Sequence, residues 1–278
     1  MSDIPRYAVF GHPIAHSLSP RLQALFGEQT CIALEYTAID APPESFAESA
    51  RAFCASGGRG ANVTLPHKRA AFELADTRTV AARRTGVANV LTRLDDGRIE
   101  AHNTDGAGFL RDLRERHRIE LRNRNALLLG AGGAARAVGW ALMDAQVRSL
   151  ILCNRTLARA QSLADTFSQP GRVCVSAWDA LTHCNAFDLI VNATSAGVHG
   201  VALELPLPLA RSTTIACDLA YGEAARPFLD WARTAGAMHA HDGLGMLVET
   251  AADSFEHWHG VRPDTDAAYR IFATNNRS

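Results

Sequence analysis

At 278 residues, 47% hydrophobic and 21% charged, the chain has the balance of a globular protein with room for two modest domains, which excludes a disordered or fibrous protein. A formal net charge of −1 gives no global field to draw in nucleic acid or an anionic membrane, so neither is expected as a partner and any bound anion must be held by local groups. The six cysteines are scattered without a Cys-x-x-Cys pair and are expected to be reduced core thiols, not disulfides or metal ligands.

In chain order, Tyr7-Ala8-Val9-Phe10 before Gly11-His12-Pro13 reads as a buried strand and a turn. Residues 20–28 suit a helix, with Ser19 as N-cap and Pro20 at its first position. A strand over 33–39 runs into the turn signal Ala41-Pro42-Pro43, and a helix over 46–55 stops at Gly57-Gly58. Asn62-Val63-Thr64-Leu65 is a short strand, and Pro66 opens the next helix. This alternation predicts an α/β domain with a largely parallel sheet. From Ala126 the pattern becomes regular, with strands over 126–129, 149–153, 172–175, 188–192 and 214–218, as in a doubly wound nucleotide-binding domain. Beyond Gly243 the chain is helical. The expected domains are 1–105, 106–242 and a C-terminal segment, 243–278, packing back on the first. The first residues lack a basic region followed by an apolar core. The most membrane-like stretch, 126–143, is broken by Gly130, Gly132, Gly133 and Arg136, so a cytoplasmic protein is expected.

The strand Leu127-Leu128-Leu129 leads into Gly130-Ala131-Gly132-Gly133-Ala134-Ala135, which fits the Gly-x-Gly-x-x-Gly/Ala dinucleotide fingerprint. The first glycine permits the tight turn and the second lets backbone approach a pyrophosphate. The small third residue allows close packing of helix on strand, and the helix start offers unpaired N–H groups. About 20 residues on, where NAD enzymes carry an acidic residue for the ribose, the chain reads Asn154-Arg155-Thr156-Leu157-Ala158-Arg159. No carboxylate is there to repel a 2′-phosphate, and Arg155 and Arg159 can hold one, so NADP is expected over NAD. The alternative is that both arginines merely solvate a loop and a helix face.

Two places in the first half carry candidate proton chemistry. Lys68, in Asn62-Val63-Thr64-Leu65-Pro66-His67-Lys68, falls in the first turn of a helix, the end of the dipole that disfavours its cation. Asp105, in Asn103-Thr104-Asp105-Gly106, precedes a helical run over 109–116 and could pair with Lys68 or bind a substrate hydroxyl. The plainer readings are a solvated lysine and a helix cap.

Taken with Ser17-Leu18-Ser19-Pro20, Ala88-Asn89, Asn192-Ala193-Thr194-Ser195 and Asp242-Gly243-Leu244-Gly245-Met246, these motifs resemble, in order, those of the shikimate dehydrogenases, from about Tyr7 to about Pro263. The resemblance implies an N-terminal α/β substrate domain, a Rossmann-type NADP-binding domain and reversible reduction of 3-dehydroshikimate to shikimate. It further implies that Ser17 and Ser19 hold the substrate carboxylate, and that Thr64, Lys68, Asn89 and Asp105 contact ring hydroxyls, with Lys68 and Asp105 as the catalytic pair. Tyr221 would lie near the substrate, Leu219 and Gly243 beside the nicotinamide, and Thr194 among the cofactor contacts.

Four positions depart from the family pattern: Thr250 stands where a glutamine contacts substrate, Gln23 where histidine is common, Val80 where an acid is common, and Arg226 where threonine is usual. The shorter Thr250 lacks the amide donor, which motivates an alternative reading as a dehydrogenase of quinate or a related hydroxy acid. A non-catalytic NADP-binding protein is the alternative of a different class. His257 and His259, two residues apart on a helix, point in different directions, and His239 and His241 flank a loop without a zinc pattern, so no metal is expected. Monomer and homodimer are both left open.

Overall fold

The computed structural model describes residues 4–275 and divides the chain into two compact units. One runs to Gly108 and resumes over Leu247–Thr274; the other is Phe109–Met246.

The first unit comprises β1 (Arg6–Gly11), α1 (Ser19–Thr30), β2 (Glu35–Asp40), α2 (Phe46–Ala55), β3 (Gly58–Val63), α3 (Lys68–Leu74), β4 (Thr77–Arg78), α4 (Val80–Thr85), β5 (Val90–Arg93) and β6 (Ile99–His102). Helix α5 (Asp105–Arg111) follows and continues as a π-helical turn, Asp112–Arg116. The six strands form one sheet in the order β2-β1-β3-β5-β6-β4. β1 is buried from Tyr7 onward because it has parallel partners on both edges. Helix α2 buries Phe46, Ala50 and Cys54, a spacing of four that puts one face on the core formed by Phe10, Val63 and Leu91.

The second unit contains β7 (Asn125–Leu129), α6 (Gly133–Asp144), β8 (Ser149–Cys153), α7 (Leu157–Phe167), β9 (Val173–Ser176), β10 (Leu189–Asn192), β11 (Ile215–Asp218), α8 (Arg226–Thr234) and β12 (His239–His241). Its sheet is parallel throughout, in the order β12-β11-β10-β7-β8-β9. The chain winds one way from β7 to β9 and the other way from β10 to β12, which is the doubly wound Rossmann arrangement with its switch point between β7 and β10. The pleat sends Leu127 and Leu129 to one core with Ile190 and Ala216, and Leu128 to the opposite core with Val191 and Cys217. Each of those leucines is fully buried, worth on the order of 2 kcal/mol. Helices α9 (Leu244–His259) and α10 (Thr265–Asn275) complete the chain.

From Leu247 on, α9 lies against the first sheet. Trp258 stacks on Tyr7 at 4.8 Å and donates Nε1–H to Thr92 Oγ1 at 3.1 Å. A Cβ on Gly60 would come within 2.6 Å of the Trp258 indole nitrogen, so this strand position must be glycine.

Several local expectations are corrected. The first sheet is mixed, because β5 runs antiparallel to both β3 and β6. The β5–β6 hairpin was not expected from the sequence, although Asp96-Gly97 marks its turn and Gly97 takes the positive φ of 86° such a turn needs. Leu18, not Ser19, is the N-cap of α1, so Ser19 and Pro20 both lie inside the first turn. α3 starts at Lys68 rather than Pro66, and α5 starts at Asp105 itself. His239 and His241 do not flank a loop; they form edge strand β12, too short for a clear alternation. The six cysteines are free thiols, with Cys54, Cys153 and Cys217 buried but Cys31 and Cys174 exposed. Among the described residues no helix is long and apolar enough to cross a membrane, and no group of three His, Cys, Asp or Glu is placed to hold a metal.

Candidate active site

In the first unit, register brings three chain segments together at one end of the central strands β3, β5 and β6. Asn62 near the end of β3 pairs with Val90 at the start of β5, and Val90 pairs with His102 at the end of β6. The residues just beyond these positions are therefore neighbours: Thr64 and Lys68 after β3, Asn89 before β5, and Thr104 and Asp105 after β6. Backbone bonds fix the junction, from Val63 N to Asn89 O (2.8 Å), Asn89 N to His102 O (3.2 Å) and Ala88 N to Lys68 O (2.8 Å).

Lys68 Nζ donates to Asp105 Oδ2 at 2.7 Å, with the two side chains 15% and 5% exposed. The other Asp105 oxygen, Oδ1, accepts from Asn89 Nδ2 at 3.1 Å. Asn89 also donates to Thr104 Oγ1 (2.9 Å) and accepts from Thr104 N (2.8 Å), so its amide is fixed in one orientation. Asn103 Oδ1 accepts from Asp105 N at 3.2 Å. Asn89 holds the carboxylate and Asn103 the backbone N–H of the same residue, and together they aim Asp105 at Lys68. His67, in the same motif, is turned into the core: it stacks on Phe46 at 4.5 Å, bonds Ala41 O through Nε2 at 2.7 Å, and has its pKa lowered mainly by burial.

Among the other candidates of this unit, Ser17 Oγ accepts from Ser19 N at 3.2 Å, which sets the two serines side by side. Neither Ser19 Oγ nor Thr64 Oγ1 has a hydrogen-bond partner among the described residues, so both hydroxyls are open to a ligand. Thr64 packs against Gly11, where a Cβ would come within 2.6 Å of its Cγ2. Thr250, on α9, donates its hydroxyl to Leu247 O at 3.0 Å, while its carbonyl accepts from Thr104 Oγ1 (3.2 Å) and Ser254 Oγ (2.8 Å). Its only donor is therefore engaged within its own helix. Gln23 reaches the same stretch of α9, with Nε2 on Ala251 O at 3.1 Å.

In the second unit the glycine-rich turn leaves β7 at the switch point. Gly130 has φ +104°, and a Cβ there would meet Ala193 O at 2.9 Å, so only glycine fits. A Cβ on Gly132 would meet nothing within 4 Å, leaving its face open, and no side chain caps the start of α6. Those unfilled N–H groups suit a pyrophosphate. Ala131, Gly133 and Ala134 line the same turn and first helical residues. At the end of β8, Asn154 Nδ2 donates to Thr156 O at 2.9 Å and shapes the loop. Arg155 and Arg159 are both exposed, and neither pairs with a carboxylate among the described residues. An open turn beside two uncommitted guanidiniums fits a 2′-phosphorylated dinucleotide.

Leu219, Tyr221 and Gly243 follow β11 and β12. A Cβ on Gly243 would lie 2.3 Å from Leu219 O, and Gly243 N donates to Ala220 O at 2.7 Å. Sequence reasoning assigned no role to the polar residues that tie this edge together, Asn192, Asp218 and Asp242. Asn192 Nδ2 donates to Asp218 Oδ2 at 2.8 Å, and Asn192 Oδ1 accepts from Thr194 Oγ1 at 2.7 Å. Burial raises the Asp218 pKa to about 7, against the lowering effect of bonds from Ala220 N–H and Asn192, with the Asp242 charge adding to the rise.

Two family models match the chain: residues 9–91 match the shikimate dehydrogenase substrate binding domain and residues 112–204 match shikimate / quinate 5-dehydrogenase. A shikimate dehydrogenase (NADP(+)) of Xanthomonas campestris pv. campestris is 54% identical over 268 residues, spanning 96% of this chain and 94% of the relative. This chain belongs to the shikimate dehydrogenase family. Among solved structures, shikimate 5-dehydrogenase from Thermus thermophilus in complex with NADP(H) and shikimate superposes with a TM-score of 0.84 at 35% identity, covering 96% of this chain and 98% of that one. An Ael1 enzyme from Pseudomonas putida gives a TM-score of 0.87 at 42% identity, covering 96% and 97%. Within this shikimate dehydrogenase family member, the 9–91 match spans Ser17, Ser19, Thr64, Lys68 and Asn89, and the 112–204 match spans the glycine-rich turn, Asn154–Arg159 and Thr194.

Proposed function

We infer that the chain is an NADP-dependent shikimate dehydrogenase, interconverting 3-dehydroshikimate and shikimate. The observation that carries this reading is the largely buried Lys68–Asp105 pair held by Asn89 at the ends of the central strands of the first sheet, in a member of this family. Bound NADPH supplies the hydride that reduces the ketone carbon. The chain's own residues handle the oxygen. The Lys68 ammonium spends one N–H on Asp105 and keeps two, one of which polarises the ketone oxygen and delivers the proton as the alkoxide forms. Asp105 keeps the ammonium aimed and offers its remaining lone pairs to a neighbouring ring hydroxyl. In the oxidative direction the lysine amine takes the proton back.

Ser17 and Ser19 bind the substrate carboxylate through hydroxyls, which needs no full countercharge. Thr64 and Asn89 contact ring hydroxyls, and Tyr221 lies near the substrate. Gly130 to Ala134 hold the pyrophosphate, Asn154 to Thr156 with Arg159 the adenosine 2′-phosphate, and Thr194, Leu219 and Gly243 the nicotinamide half. The setting is cytoplasmic, where free thiols persist.

A second substrate reading rests on Thr250. Because its hydroxyl is bonded to Leu247 O, it offers substrate no side-chain donor, so the hydrogen bond that a glutamine amide would supply is missing from substrate selection and quinate or a related hydroxy acid is discriminated less. The test is shikimate-dependent NADP reduction by the native chain and by Lys68→Met. A fall of at least about a hundredfold in kcat with unaltered NADP affinity supports the reading; equal turnover contradicts it.

A further inference from the structure

The carboxyl ends of β10, β11 and β12 are tied together by a mesh in which Asp218 is the central acceptor. It closes β11 and is 2% exposed. Its Oδ1 accepts from Ala220 N and its Oδ2 from Asn192 Nδ2, both at 2.8 Å. Leu219 N, one residue on, donates to Asn192 O at 2.9 Å. A carboxylate is needed because both oxygens accept, and an asparagine offers only one acceptor. The fold therefore fixes a buried acid at this edge, whatever its charge does there.

That charge is uncompensated. Asp218 forms no ion pair among the described residues, and its partners are neutral N–H groups. The other groups around it are acidic or weakly charged. Asp242 faces it from the loop after β12, with its own oxygens on Gly222 N and Leu244 N, both at 3.2 Å. Cys217, its chain neighbour on β11, also senses Asp112, and Asp112 is already paired with Arg116 at 2.6 Å. His241 and His117, whose tilted rings lie 3.8 Å apart and which face Asp242, have their pKa values lowered chiefly by burial, and His239 lies beyond His241.

In a doubly wound sheet the dinucleotide lies beyond the carboxyl ends of the strands. On the NADP reading above, on which this inference rests, Leu219 is beside the nicotinamide, so Asp218 is the nearest fixed charge along the chain. The oxidised ring is a cation and the reduced ring is neutral. We propose that Asp218 makes this edge discriminate between the two cofactor forms, binding NADP⁺ more tightly relative to NADPH than a neutral residue would. A unit charge within about 10 Å, partly screened by solvent, alters affinity on the order of fivefold. Because burial raises the Asp218 pKa to about 7, NADP⁺ binding favours its ionised form and releases a fraction of a proton near that pH, and NADPH binding does not.

The full chain, without substrate, is titrated calorimetrically with NADP⁺ and with NADPH between about pH 6 and about pH 8.5, a range that brackets this ionisation. The 2′-phosphate titrates in both forms and cancels in the ratio of their dissociation constants. The expected result for the native chain is a preference for NADP⁺ that grows on the order of fivefold across this range. In Asp218→Asn the ratio is low and flat, which separates Asp218 from the histidines left in place. A ratio independent of pH in the native chain overturns the inference, and needs no variant to fold. So does an Asp218→Asn protein in which both forms weaken equally, the mark of a purely structural role. Absence of saturable binding by both forms overturns the NADP reading itself, and this inference with it.

Discussion

Asp105→Asn removes one charge and leaves the side-chain volume nearly unchanged. In the native arrangement the two carboxylate oxygens serve Lys68 Nζ at 2.7 Å and Asn89 Nδ2 at 3.1 Å. An asparagine has one oxygen to offer. Facing Lys68, it turns its NH₂ on the Nδ2 of Asn89; facing Asn89, it turns a donor on the ammonium. Two unit charges at 2.7 Å attract by roughly 6 kcal/mol at an effective dielectric of about 20. Much of that offsets desolvation of side chains that are 15% and 5% exposed. The net loss on removing one partner is about 2–4 kcal/mol, mainly because a buried ammonium is stranded. Lys68→Met strands the carboxylate instead and costs a similar amount. The double variant strands neither charge, so its loss falls short of the sum by about 2 kcal/mol. Urea unfolding of the native chain, both single variants and the double variant measures that coupling. Losses that add to within about 0.5 kcal/mol refute a stabilising buried pair.

Three further outcomes are expected. Gly108→Ala places a Cβ 2.5 Å from Thr250 Cγ2 and 2.9 Å from Thr250 N, where backbone cannot yield; urea unfolding should show a loss of about 2–3 kcal/mol. Arg155→Asp puts a carboxylate at the end of β8 and should weaken NADP at least tenfold, on the order of a lost charge-assisted contact, while leaving NAD affinity equal or better, as read by equilibrium titration. His102 and His241 have their pKa values lowered to about 4, mainly by burial. Above the unfolded value near 6.5 both states are neutral and stability is complete. As pH falls from there toward 4 the unfolded chain takes up protons that the folded chain refuses, so up to about 3 kcal/mol per histidine is lost. Urea midpoints that stay level from about pH 7 to about pH 4.5 contradict that assignment.

Much of this was legible in the residue pattern, and the misses have physical causes. The second unit reads cleanly because its buried parallel strands are continuous apolar runs. Gly130-x-Gly132 sits where a strand must turn into a helix, and Ser149–Cys153 matches the expected strand residue for residue. The first sheet reads less well. β5 and β6 have four residues each, too few for a clear alternation, so the hairpin that brings Asn89 to Asp105 was invisible despite Asp96-Gly97. Lys68 and Asp105 were both singled out from local sequence, but 37 positions separate them, and only the antiparallel register joins them. The roles of Thr104 and Asp218 depend on partners distant in the chain, Thr250 and Asn192, which no local pattern announces. Thr250 was marked by its departure from the family; that its hydroxyl turns back on Leu247 required the helix geometry.

The most direct test of the functional reading is the absorbance of reduced nicotinamide formed by the purified chain from NADP or NAD, with shikimate or quinate as substrate. The account predicts turnover with shikimate and NADP that exceeds every other pairing, with NAD poorer by at least about tenfold, as expected where a 2′-phosphate is held by arginine. Turnover of quinate without shikimate, or none with any pairing, contradicts it.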